Sequence, residues 1–69
     1  MLHAELRQGL VELIGLPLVE RIEAEYAQLC ETHGFDPTDT GAFLAHVYFR
    51  SRARFGPRGW QVDEAVRLH

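Results

Sequence analysis

The chain has one cysteine, one serine and no lysine among its 69 residues, and it has no long apolar run. With Cys30 alone, no disulfide can close within the chain, and the expectation is a reduced thiol in a cytoplasmic protein. The longest stretch without a formal charge, Thr40 to Phe49, is ten residues. A membrane-spanning helix needs about 20, so no transmembrane segment is predicted. The amino-terminal Leu2-His3-Ala4-Glu5-Leu6-Arg7 lacks the basic and apolar blocks of a secretory signal. The absence of lysine excludes little, because all seven basic residues are arginine and carry the same charge.

Scarcity also bears on catalysis. Ser51, the only serine, falls on an apolar helical face with no base and orienting acid at motif spacing. A hydroxyl packed or bonded back to its own helix is the expected state. No glycine-rich loop follows a strand, because no strand pattern is read, so neither a P-loop nor a dinucleotide fingerprint is available. Neither enzyme activity nor a cofactor is expected.

What is present is 46% hydrophobic and 25% charged, the balance of a folded chain, and the length allows one domain over residues 1–69. A core this small seldom supplies more than about 3–5 kcal/mol, so self-association is a common supplement. The net charge of −3 is unevenly spread. Residues 1–39 balance to −6 and residues 40–69 to +3.

Helical periodicity dominates. Leu2, Leu6, Leu10, Leu13 and Ile14 share one face of a first helix, with Gly15 as its carboxyl cap. A second helix, Pro17 to His33, aligns Leu18, Val19, Ile22, Tyr26, Leu29, Cys30 and His33 and stops at Gly34. Asp36 as amino-cap and Pro37 at the first position predict a third helix running to Phe55. Its main face holds Phe43, Leu44, Val47, Tyr48 and Phe55. After Gly56-Pro57 a short fourth helix is predicted over Gln61 to Leu68, with Trp60 as an anchor before it. The predicted fold is therefore all-α, a small bundle of three main amphipathic helices plus a short carboxyl-terminal one.

Several features carry functional expectations. A second apolar strip on helix three, Ala42, Ala45, Phe49 and Ala53, needs a cover, either helix four or another subunit. A basic edge of His46, Arg50 and Arg54, with Arg58 nearby, suits an anion or an acidic surface, or pairs with glutamates of the first two helices. Tyr26 to Phe49 can be read as a helix-turn-helix, but Asp36 and Asp39 stand where a recognition helix would approach phosphates. Cys30 and His33 have the spacing of half a zinc site, and no second pair completes it. Asp36, Thr38, Thr40 and Gly41 fit part of a calcium loop whose twelfth position is Val47 instead of a bidentate glutamate. No metal site is expected. The function expected is a non-catalytic helical interaction module that self-associates as a homodimer through helix three. The alternatives are an acidic protein partner, or a small nucleic-acid-binding regulator.

Overall fold

Three helices followed by one β-hairpin make up the computed structural model, which describes residues 2–63. Helix α1 spans Ala4–Ile14 and α2 spans Leu16–His33, leaving only Gly15 between them. Gly15 adopts φ 94°, a conformation that L side chains resist, so a glycine is required at this corner. Its N–H donates to the Val11 carbonyl at 2.8 Å, and its own carbonyl accepts from the Val19 N–H at 3.2 Å. The same residue thus closes one helix and opens the next, with Pro17 in the first turn of α2.

Helix α2 ends at Gly34, left-handed at φ 72°. The next helix starts later than Pro37. One carboxylate oxygen of Asp36 accepts from the Thr38 backbone N–H at 2.8 Å and from the Thr38 hydroxyl at 2.7 Å, which commits this aspartate to a local turn. Those bonds hold its carboxyl below the usual range. Helix α3 then spans Thr40–Ser51, capped by Asp39, whose side chain accepts from the Ala42 N–H at 3.1 Å.

Each helix contributes to one core. Leu10 from α1, Val19, Ile22 and Tyr26 from α2, and Phe43 and Val47 from α3 are at most 1% exposed. Tyr26 meets Phe43 edge to face, with ring centres 5.3 Å apart, and its hydroxyl donates to the Asp36 carbonyl at 2.8 Å. The buried ring therefore leaves no polar atom unsatisfied. On the far side, Arg7 of α1 grips Glu23 of α2 through Nε at 2.7 Å and Nη2 at 3.0 Å.

The all-α expectation fails after Ser51, and the architecture is α+β. Helix α3 ends four residues before Phe55 because Arg52 turns left-handed, φ 61° and ψ 13°, while its N–H closes on the Tyr48 carbonyl at 2.7 Å. At this junction the Ser51 hydroxyl donates back to the Val47 carbonyl at 2.8 Å and accepts from the Ala53 N–H at 3.2 Å. The chain then extends as β1, Ala53–Gly56, and returns antiparallel as β2, Gly59–Val62. Ala53 pairs with Val62, Arg54 with Gln61, Phe55 with Trp60, and Gly56 with Gly59. Pro57 and Arg58 form the turn, and Gly59 takes φ 90°.

The hairpin is held by what its inner face reaches. Ala53 is fully buried, and the Trp60 indole N–H donates to the Leu6 carbonyl at 2.8 Å. Trp60 is therefore an anchor, but of a strand against α1. Gln61 and Val62, predicted to open a fourth helix, belong to β2. Asp63 follows β2 outside any helix, and residues 64–68 of that predicted helix lie outside the described residues.

Candidate functional site

The four residues of the predicted second strip do not stay together. Ala53 leaves the helix, starts β1 and is fully buried in the core. Ala42 is partly buried and packs against the core cluster. Ala45 and Phe49 remain, one helical turn apart on the outer face of α3. Ala45 is exposed, and Phe49 is 71% exposed, the highest value among the exposed large apolar side chains. Among the described residues no fourth helix covers this strip, because the chain after α3 turns away into the hairpin.

The basic edge is also rearranged. His46 and Arg50 converge on a single carboxylate, Glu25 of α2. Arg50 donates through Nε at 2.7 Å and Nη2 at 3.1 Å, a bidentate clamp. His46 Nε2 lies 3.1 Å from the same Oε1. The Arg50 bonds, more than the proximity of His46, hold the Glu25 carboxyl below its ordinary value against the opposing effect of partial burial. Arg50 is raised in turn. The His46 ring also stacks on Phe49, with centres 6.3 Å apart and planes 27° from parallel. The apolar patch and the polar clamp therefore share a border.

Arg54 and Arg58 stand apart from this clamp. Arg54 lies on the exposed face of β1 opposite Gln61, and Arg58 is at the exposed hairpin turn. Neither forms an ion pair within the described residues. Arg52, the helix cap, has its guanidinium 5.3 Å from the centre of the Tyr48 ring. Sequence periodicity aligned His46, Arg50 and Arg54 only by extending α3 through residues that form a strand.

Glu25 was not singled out from the sequence, yet its position was informative. At 100° per residue, Glu23 and Glu25 flank the apolar arc of α2 on opposite sides. Glu23 meets α1 through Arg7, and Glu25 meets α3 through Arg50. A carboxylate beside an apolar arc points to an interhelical partner, whereas one opposite the arc is solvated.

For metal chemistry, no three His, Cys, Asp or Glu side chains converge within the described residues. Cys30 is partly buried against the core, while His33 is exposed. Among the described residues no helix is long and apolar enough to cross a membrane. No protein-family model, curated protein or solved structure matches this chain, so the site rests on its own geometry.

Proposed function

We propose that this protein is a non-catalytic interaction module that self-associates through the outer face of α3. The observation that carries the proposal is the pairing of an exposed Phe49 with an exposed Ala45 one turn away. A large side chain beside a small one, about 6 Å apart along the axis, is a self-complementary pattern. When two copies of α3 pack antiparallel about a two-fold axis, each Phe49 covers the Ala45 of the other copy, as an isologous contact requires. Ala42 lies at the margin of the contact, and Ala53 takes no part. His46 and Arg50, already engaged with Glu25, form its polar rim. Of the basic residues read together from the sequence, Arg54 and Arg58 lie outside the Glu25 clamp and are offered to an acidic partner surface. The proposal retains the cytoplasmic setting expected from the sequence, in which Cys30 is a thiol. The nucleic-acid alternative has less support, because Asp36 in the preceding turn and Asp39 at the amino-cap put two carboxylates just before α3, and Arg50 is paired with Glu25.

Light scattering and sedimentation on Phe49→Asp test the reading. The wild-type chain is expected to dimerise, and the variant to be monomeric with unchanged helical circular dichroism, since Phe49 supports little of the core. Ala45→Trp, which fills the seat for Phe49, is expected to act in the same direction. A wild-type monomer at high micromolar concentration, or a Phe49→Asp protein of unchanged mass, would remove the basis for self-association through α3.

A further inference from the structure

A second surface lies between α1 and the hairpin. There Leu6 and Leu13 of α1 and Phe55 and Trp60 of the hairpin floor an open groove of about 460 Å³. Leu13 and Phe55 are 39% and 49% exposed, so the floor is apolar and accessible. Phe55 and Trp60 meet edge to face at 5.4 Å. The indole N–H is already committed to the Leu6 carbonyl, which fixes the ring as one wall of the groove.

The rim is acidic. Glu5 and Glu12 lie seven residues apart, two turns along α1, and both border the groove. Glu5 has no ion-pair partner within the described residues, and Glu12 accepts only a 3.4 Å bond from the neutral Gln8 amide. The arginine on α1, Arg7, is held by Glu23 on the other side. Two carboxylates with no ion-pair partner among the described residues thus flank an apolar trough at a spacing of about 10 Å.

We propose that this groove binds the amphipathic helix of another protein, one that presents an apolar stripe with lysine or arginine side chains two turns apart beside it. The apolar stripe fills the trough over Phe55 and Trp60, and the two cations meet Glu5 and Glu12. Charge complementarity selects the partner. The carboxylates repel phosphates and acidic peptides, while the aromatic faces favour the stems and charges of basic side chains. A second copy of this chain does not supply the match. Among the described residues its helices carry Arg7, Arg21 and Arg50, of which Arg7 and Arg50 are paired internally, and its unpaired Arg54 and Arg58 lie on the hairpin. The groove is separate from the Ala45 and Phe49 face, so the two proposals stand or fall independently.

The test uses the full chain and a synthetic helical peptide of leucine, alanine and lysine, with lysines two turns apart beside a leucine stripe. Trp60, the only tryptophan, reports from the groove wall. Saturable peptide binding that changes Trp60 emission is expected, with no binding by the same peptide carrying glutamate for lysine. The double variant Glu5→Gln/Glu12→Gln is expected to weaken binding about two- to thirtyfold, the range for two exposed ion pairs. Phe55→Ala is expected to weaken it as well. Glu20→Gln/Glu31→Gln, which removes two exposed α2 carboxylates away from the groove, is expected to leave the affinity unchanged. Equal losses in the two glutamine pairs would reduce the effect to net charge and overturn the proposal. Binding that leaves Trp60 emission unmoved, or no saturable binding, would do the same.

Discussion

At the scale of single residues, Gly9 has the least room of the six glycines, because it faces Trp60. A Cβ built on Gly9 would lie 2.8 Å from Trp60 Cδ1 and 3.3 Å from Nε1. In an unconstrained helix interior, Gly→Ala gains about 0.5–1 kcal/mol. Here the indole cannot retreat without losing its bond to the Leu6 carbonyl, and overpacking costs about 1–3 kcal/mol. The clash therefore exceeds the propensity gain, and Gly9→Ala is expected to destabilise the fold by about 1 kcal/mol, with the Trp60 emission shifted toward that of a solvated indole. Urea titration followed by tryptophan fluorescence measures both. A more stable variant with native emission would contradict this account of the hairpin's seat. Nothing in the local pattern of α1 announces this role for Gly9, since its cause is a contact with a residue near the other end of the chain.

At the scale of elements, α1 and α2 were legible because each repeats its apolar period for three turns or more and is bounded by glycine. Gly15 and Gly34 supply the positive φ that ends each helix, and the sequence marks both places. The hairpin was hidden by coincidence of period. Val47, Tyr48, Ser51 and Phe55 continue a helical rhythm, so the apolar pattern carries α3 through residues that are extended in the fold. The strands are four residues each, too short for alternation to outweigh that rhythm. The signal that was there is Gly56-Pro57-Arg58-Gly59 set between Phe55 and Trp60, a turn bracketed by aromatic partners. Misplacing this boundary also misplaced two of the eight residues read as candidate sites. Ala53 and Arg54 were assigned to α3 by period and lie in β1, whereas Ala45, Phe49 and Arg50 precede the break and lie on α3. Two glycines test the hairpin directly. Gly59→Ala forces a side chain to φ 90° and is expected to cost about 1–2 kcal/mol, with faster amide exchange in β1 and β2. Gly56→Ala, whose Cβ would meet nothing within 4 Å, is expected to be far milder. Equal effects at the two positions would mean that the turn does not depend on the conformation of Gly59.

At the scale of the whole molecule, long-range polar ties set the pH range over which the parts stay joined. Arg50 and Glu25 link the basic and acidic halves of the chain, which internalises part of the charge asymmetry read from the sequence. Glu25 and Asp36 both have carboxyls held below their ordinary values, so their contribution is present above the unfolded carboxylate range. It is lost as pH falls through the lower folded values. The tyrosines act at the other end. Burial, more than the nearby Cys30 and Asp39, raises the Tyr26 phenol. Tyr48 is raised chiefly by its 2.7 Å hydrogen bond to Asp63, against the opposing charges of Arg52 and Arg54. The folded state thus binds these two protons more tightly than the unfolded chain does. Their contribution is complete below the unfolded phenol value of about 10 and is lost as pH rises through the folded values. Denaturation midpoints are therefore expected to form a plateau bounded by an acid and an alkaline decline. Tyrosinate absorbance of the native protein should rise at higher pH than in urea-unfolded chain. Tyr48→Phe removes one of the two raised phenols and should flatten the alkaline limb while weakening the tie between α3 and the hairpin's end. Native tyrosines that titrate together at the unfolded value would show that neither hydroxyl is held as the fold requires.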